Sequence, residues 1–351
     1  MKVEPSAISE SALASHVRSS YGLSITRLAF TPKGEDAYAY RAAAAGGEQY
    51  FVRVQRGTED VHHEAVYAAL EMLRTDCGMP AIVAPLRTTQ GRFTSCLHQH
   101  AVAVFPFIDG TTAFDTRLNE TQWRQLGAIM AALHTSGDRC VVPALPRETF
   151  ANPFAGPITR ALQHATSSFT PASSEQRQVS ALLRQQRADL EATLQRFHRL
   201  GEQARRLDPP QVLTHGDPNL ANVLTDRTGS LHLIDWGELA RAPCERDLTF
   251  FTGDRFAALL EAYLERAGYV RLHPDLFTFY FYRWVLQEIA DYTSRILLEP
   301  SDQHEHAHAW EELKPYLPIP HTSIAMGVDV VRETLIPFVT AGHVEASTTS
   351  S

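Results

Sequence analysis

His215-Gly216-Asp217-Pro218-Asn219-Leu220-Ala221-Asn222, followed at short range by Leu233-Ile234-Asp235-Trp236, is the stretch on which the reading of this chain turns. Asp217 and Asn222 stand five residues apart on one loop. Asp235 ends an apolar strand candidate, LHLID at 231–235, so a hairpin can gather all three side chains. Moving a phosphoryl group off a nucleotide needs one carboxylate to orient a hydroxyl and accept its proton. A second carboxylate and an amide oxygen must hold the metal that bridges the phosphates. The string supplies those residue types in one place. A polar loop whose Asp and Asn serve only turns and caps is the bland alternative for each residue alone; the whole string with IDW behind it outweighs that alternative.

Working outward, QYFVRV at 49–54 is a strand candidate that carries Arg53. VHHEAVYAALEML at 61–73 repeats Val61, Ala65, Ala69 and Leu73 at helical spacing, with Glu64 beside the apolar stripe. A strand cation paired with a carboxylate from the next helix is what holds nucleotide phosphates in a kinase. The only lysines are Lys2, Lys33 and Lys314, so Arg53 must stand in, with Glu64 as its partner and Arg41 as the next candidate cation. A surface arginine and a surface glutamate remain the alternative. Further strands are ITRLAF at 25–30, AYAYRA at 37–42 and HAVAVFPFI at 100–108, the last interrupted by Pro106; AAGGE at 44–48 has hairpin chemistry. The turn TPKGEDA at 31–37 lacks a GxGxxG pattern, and Lys33 in it reads as exposed. After Asp109-Gly110 the pattern turns helical. Trp123, Leu126, Met130 and Leu133 form one face, and Val179, Leu182, Leu183, Leu190, Leu194 and Phe197 form the face of one long helix. QVLT at 211–214 is a short strand, and helices resume at 256–266, 274–298 and 325–339.

The 351 residues are 44% hydrophobic and 21% charged, which excludes collagen, coiled coil and wholesale disorder. The net charge of −8 argues against a nucleic-acid partner and fits attraction of a cationic small molecule to acids lining a cleft. No apolar run is long enough for a bilayer, and the N-terminus has no apolar signal region, so the expectation is a cytoplasmic protein with no membrane partner. Cys77, Cys96, Cys140 and Cys244 form no CxxC pair and are expected to be reduced and structural. His304, His306 and His308 in HEHAH fall on different sides of a helix and are read as a solvated segment instead of a metal site.

The HGD-x4-N loop, the IDW strand and the third-strand cation resemble the aminoglycoside phosphotransferase and choline kinase superfamily. FPFIDG at 105–110, WRQLGAIMAALH at 123–134, LPRETF at 145–150, APCERDL at 242–248 and YFYRWVLQEIADY at 280–292 are similar to strings of spectinomycin phosphotransferases. The resemblance implies an α+β, bilobal, protein-kinase-like fold. Residues 1–108 would form a small antiparallel-sheet nucleotide lobe and 109–345 a larger, mostly helical catalytic lobe, with 346–351 a disordered tail. It implies that Asp217 is the catalytic carboxylate, Asn222 and Asp235 hold Mg2+, Arg53 and Glu64 clamp the phosphates of ATP (or GTP), and the backbone around Phe105 and Phe107 receives the adenine. His215 and Asp247 would support the catalytic loop. Pro218 and Asn219 stand where relatives often carry Leu-His. For a cationic aminocyclitol acceptor, with spectinomycin the first candidate, Glu238, Glu288, Asp291 and Tyr292 are the candidate contacts. A kinase for a sugar, amino alcohol or homoserine-like metabolite, and a nucleotide-binding pseudokinase, are the rival readings.

Overall fold

The computed structural model describes residues 8–32, 37–57, 61–137, 139–268, 270–299, 303–319 and 323–340. Lys33 and most of its turn, and the tail at 346–351, lie outside the described residues. The elements run, in chain order, α1 (Glu10–Tyr21), β1 (Ile25–Thr31), β2 (Ala37–Ala44), β3 (Gln49–Arg56), α2 (Val61–Thr75), β4 (Thr94–Leu97), β5 (His100–Pro106), β6 (Gly110–Thr112), α3 (Ala113–Thr116) and α4 (Glu120–His134). They continue with α5 (Ala155–Thr166), α6 (Ser174–Gln185), α7 (Arg187–Leu207), β7 (Val212–Thr214), β8 (Val223–Asp226), β9 (Leu231–Leu233), β10 (Ala240–Ala242) and α8 (Glu245–Leu248). The last are α9 (Phe256–Ala267), α10 (Pro274–Leu297), α11 (Gln303–Leu313) and α12 (Ser323–Thr340). Contacts divide the chain into two compact units that interleave in sequence. One gathers Met1–Arg147, Val212–Arg241 and Ala258–Gly268; the other gathers Glu148–Gln211, Ala242–Ala257 and Tyr269–Ser351.

The first unit is built on an antiparallel sheet of order β1-β2-β3-β5-β4. Alternation along the strands sends Tyr38, Tyr40, Val52, Val54, Val102 and Val104 to one buried face, where they join Leu13, Val17 and Tyr21 of α1. On the opposite face Ala39, Arg53 and Ala103 stand in register across three strands, so small neighbours flank the arginine on both sides. The sequence reading missed α1, yet its signals are local. Ser9 caps it by accepting the Ala12 N–H at 3.2 Å, its buried residues recur every four positions, and Gly22 ends it at φ 72°. In the same unit β6, β8 and β9 form a second small sheet, and Ile82, beyond α2, bridges to Leu233.

The second unit is helical. Its core is α10, whose Leu276, Phe279, Val285, Leu286 and Ile289 are buried against α5, α6, α7 and α11. Phe279 stacks on Phe197 of α7 with centroids 4.8 Å apart. Two expectations are corrected here. The long helix expected across Val179 to Phe197 is two helices that meet at Gln186, whose backbone sits at φ −94°, ψ 7°. The cause is tertiary: Gln186 is buried and its Oε1 accepts the Ile319 N–H at 2.7 Å. The histidine segment is not wholly solvated. It forms α11, and His306 is buried with Ala309 and Leu313, its Nδ1 3.4 Å from Ser173 Oγ. None of the four cysteines is in a disulfide, and Cys96 is exposed.

Within this unit Glu245 is fully buried on α8, accepting the His273 N–H at 2.9 Å, and burial pushes its carboxyl up to about 7. The unfolded chain releases that proton near the ordinary glutamate value of 4.5. Between those two values the folded state therefore holds the extra proton, and stability falls as pH rises. Glu245→Gln keeps the acceptor for His273 and removes the ionisation. Urea unfolding at pH 5 and pH 7.5 should show the wild type losing about 2–3 kcal/mol over that interval and the variant staying flat in comparison.

Candidate active site

β7 delivers the chain into the loop that begins at His215, with Thr214 Oγ1 donating to Ala240 O at 3.0 Å. Gly216 then takes φ 91°, a backbone that a side chain strongly disfavours. The buried His215 ring links two strings that are distant in sequence. Its Nδ1 accepts the Asp217 N–H at 3.3 Å. A backbone N–H can only donate, so the ring proton sits on Nε2, which donates to Ile234 O at 3.0 Å. The ring also lies against Trp236, centroids 4.2 Å apart, and the Ile234 N–H donates to Asn222 O at 3.0 Å. The HGD loop and the IDW segment are thereby one structural object.

Asp217 is half-buried. Its Oδ1 accepts Asn219 Nδ2 at 2.8 Å and its Oδ2 accepts Asn222 Nδ2 at 3.0 Å. Asn222 Nδ2 also reaches Asp217 O at 2.9 Å. Facing two acceptors, that atom must be the amide nitrogen, which leaves Asn222 Oδ1 for a cation. Burial raises the Asp217 pKa, the negative charges of Asp235 and Glu238 add to the rise, and the Asn219 hydrogen bond opposes it. Asp235 is exposed and adopts φ 61°, a left-handed backbone that costs on the order of 1 kcal/mol for a residue with a side chain and collects at functional sites. An amide oxygen and a carboxylate are hard oxygen donors. Among the described residues no group of three His, Cys, Asp or Glu side chains forms a cage. A short oxygen set of this kind fits Mg2+ that is shared with phosphates.

Arg53 and Glu64 do not pair as expected. Arg53 Nη1 lies 3.5 Å from Asp235 Oδ1. Glu64 instead holds the start of β4: its carboxylate accepts the Phe93 N–H at 3.2 Å, the Thr94 N–H at 2.8 Å and the Thr94 hydroxyl at 2.5 Å. Those donors satisfy the carboxylate without a cation. In the expected base-binding stretch at 105–107, the sheet uses some of the backbone groups. The Phe107 N–H is already given to Gln49 O at 3.1 Å, and Phe105 pairs with Phe51 across β3 and β5. Alternation along an antiparallel strand turns residues 104, 106 and 108 the other way, as Val104 O shows by accepting the Leu86 N–H at 2.7 Å. Within β5 the Pro106 C=O is therefore turned away from β3. Phe105 packs its ring edge-on to Tyr67 of α2 at 5.5 Å, and Arg41 covers the Phe107 ring at 4.3 Å.

Glu238 is exposed in the same unit, and Gly237 O beside it lies 3.3 Å from His62 Nε2. Asp247, Glu288, Asp291 and Tyr292 belong to the second unit. Asp247 is fully buried in α8. Asp291 is paired with Arg295 at 2.8 Å, Tyr292 is buried beneath that arginine, and Glu288 is half-buried. Sequence reasoning missed Asn219 as a partner of Asp217 and Thr94 as the partner of Glu64. Asn219 had a local signal, two residues beyond Asp217; Thr94 depends on strand pairing. Glu64→Ala should lower stability by about 1.5–3 kcal/mol in urea unfolding, because buried donors of Phe93 and Thr94 lose a charged acceptor. Glu64→Gln, which keeps an oxygen there, should lose less.

The sequence model of the phosphotransferase enzyme family matches residues 28–280. The protein StrN of Streptomyces griseus is 30% identical over 300 residues, covering 84% of this chain and 87% of that protein. Among solved structures, a spectinomycin phosphotransferase in complex with ADP and spectinomycin superposes with a TM-score of 0.74 at 21% identity, covering 93% of this chain and 98% of that one. A microcompartment-associated aminopropanol kinase gives a TM-score of 0.57 at 18% identity, covering 93% and 98%. At those identities the two structures show a common kinase-like fold.

Proposed function

The chain belongs to the phosphotransferase enzyme family, a family of small-molecule kinases, and from that premise we propose that it moves the γ-phosphate of ATP to a hydroxyl of a cationic aminocyclitol, spectinomycin first. The observation that carries the catalytic part is the loop itself: a half-buried Asp217 held by Asn219 and Asn222, tied through His215 to the segment that bears Asp235. The acceptor part draws support from the fold shared with the spectinomycin phosphotransferase and from the acidic balance of the chain.

In this reading residues 1–108 serve the nucleotide and 109–345 the chemistry and the acceptor. Pro106 C=O accepts from the adenine amino group and Ile108 N–H donates to the ring nitrogen beside it. Arg53 binds phosphate with its fork of donors. Asn222 Oδ1 and the Asp235 carboxylate would hold Mg2+, which would supply charge neutralisation at the phosphates. Asp217 accepts the hydroxyl proton of the acceptor as that oxygen bonds to the γ-phosphorus and the bond to the ADP oxygen breaks. Asp217 accepts a proton only while ionised, so turnover should fall as pH drops through its raised pKa. His215 supports the loop. Glu238, Glu288, Asp291 and Tyr292 remain the acceptor-side candidates; Arg295 is paired with Asp291.

Incubation with MgATP and spectinomycin should yield a product heavier by one phosphate in mass spectrometry. Unmodified spectinomycin alongside efficient phosphorylation of an amino alcohol or sugar would replace this acceptor with a metabolite. Asp217→Asn should cut kcat by about 10²–10⁴ with nucleotide affinity nearly intact. Ile108→Pro removes one N–H and should weaken ADP binding about tenfold in titration calorimetry; unchanged affinity would place the adenine edge elsewhere.

A further inference from the structure

Arg53 and Asp235 are each required elsewhere, one by phosphate and one by the metal, yet they face each other at 3.5 Å. The expected partner of Arg53 is engaged elsewhere, since Glu64 accepts the Phe93 and Thr94 N–H groups and the Thr94 hydroxyl. Arg53 also has no alternative beside it on the sheet, because Ala39 and Ala103 flank it in register. Its side chain is 19% exposed against 58% for Asp235, so the arginine has less access to water and the aspartate is its counter-charge. We infer that the Arg53–Asp235 pair is a latch that couples phosphate binding to metal binding: each ligand must break the pair, and each frees the other ligand's residue.

This rests on the nucleotide reading above and goes beyond it. Phosphate that takes Arg53 releases Asp235 for the cation, and a cation on Asp235 releases Arg53 for phosphate. Such mutual release is positive coupling, and it must be reciprocal. It also sets a direction that an ordinary metal ligand does not. Without metal, Asp235 opposes nucleotide binding by holding Arg53. Removing its charge should then help metal-free nucleotide, although the same change harms the metal-loaded complex. Asn tolerates the left-handed backbone at this position as Asp does, so Asp235→Asn leaves the turn intact.

The experiment is ADP titration calorimetry in EDTA and again in excess magnesium, on the wild type, Asp235→Asn, Arg53→Gln and the double variant, with thermal unfolding as the check on folding. In EDTA, Asp235→Asn should bind ADP about two- to fivefold more tightly than the wild type, the size of one partly exposed ion pair. The double variant should show no such gain over Arg53→Gln. The latch is overturned if Asp235→Asn binds metal-free ADP no better than the wild type. It is equally overturned if the gain persists in the Arg53→Gln background, because the aspartate would then act as a diffuse negative field. Absence of ADP binding by the wild type in both buffers would remove the kinase reading and the latch with it; ADP binding strengthened by magnesium, with the EDTA pattern missing, would remove the latch alone.

Discussion

The His215 imidazole is the constraint on which the rest of the site depends. One ring nitrogen receives the Asp217 N–H and the other gives its proton to Ile234 O, so a single buried ring sets the distance between two loops that sequence separates by about twenty residues. A buried ring with one unpaired nitrogen would carry a penalty of ~1–3 kcal/mol, and both nitrogens here are satisfied only in one arrangement of the loops. Trp236 closes the ring's face and donates its own Nε1 to Leu233 O at 3.1 Å. The polar chemistry of Asp217, Asn222 and Asp235 thus stands on an apolar, fully hydrogen-bonded base.

That base explains how strain can be held at Asp235. A left-handed aspartate persists only where its neighbours over-determine it. Ile234 is fixed on both sides, through its carbonyl to His215 and through its N–H to Asn222; Trp236 follows, wedged on the imidazole. Asp235 has little freedom left between them. The same economy appears on the sheet, where Glu64 gives up the role of counter-ion to anchor β4, and Arg53 turns to Asp235. The sheet arginine and the left-handed aspartate thereby become each other's ion-pair partners.

Family membership and fold are coarser than the acceptor. The same kinase-like fold serves an enzyme solved with spectinomycin and an aminopropanol kinase, so the fold alone does not choose the hydroxyl that is phosphorylated. Of the sequence candidates, Asp291 is paired with Arg295, Tyr292 is buried and Glu238 is exposed.

Local sequence determined the elements whose cause is local. The strand pattern at 37–42 and 49–54, the helix with Glu64, and the HGD-x4-N and IDW strings could all be read because alternation, helical spacing and loop chemistry act over a few residues. α1 was equally local, with Ser9, Leu13, Val17 and Gly22 in place, and it was missed because the chain's start was weighed only as a leader. The tertiary structure decided the rest. Glu64 met Thr94 instead of Arg53 because β4 pairs onto β5 thirty residues downstream. Phe107 lost its N–H to Gln49 because antiparallel register assigns alternate backbone groups to opposite sides. Gln186 divided one apolar helix in two because a buried amide answered Ile319, 133 residues away. Helical spacing specifies which residues share a face; it carries no information about which distant donor a carboxylate or amide will meet, and that choice is made only when the chain packs.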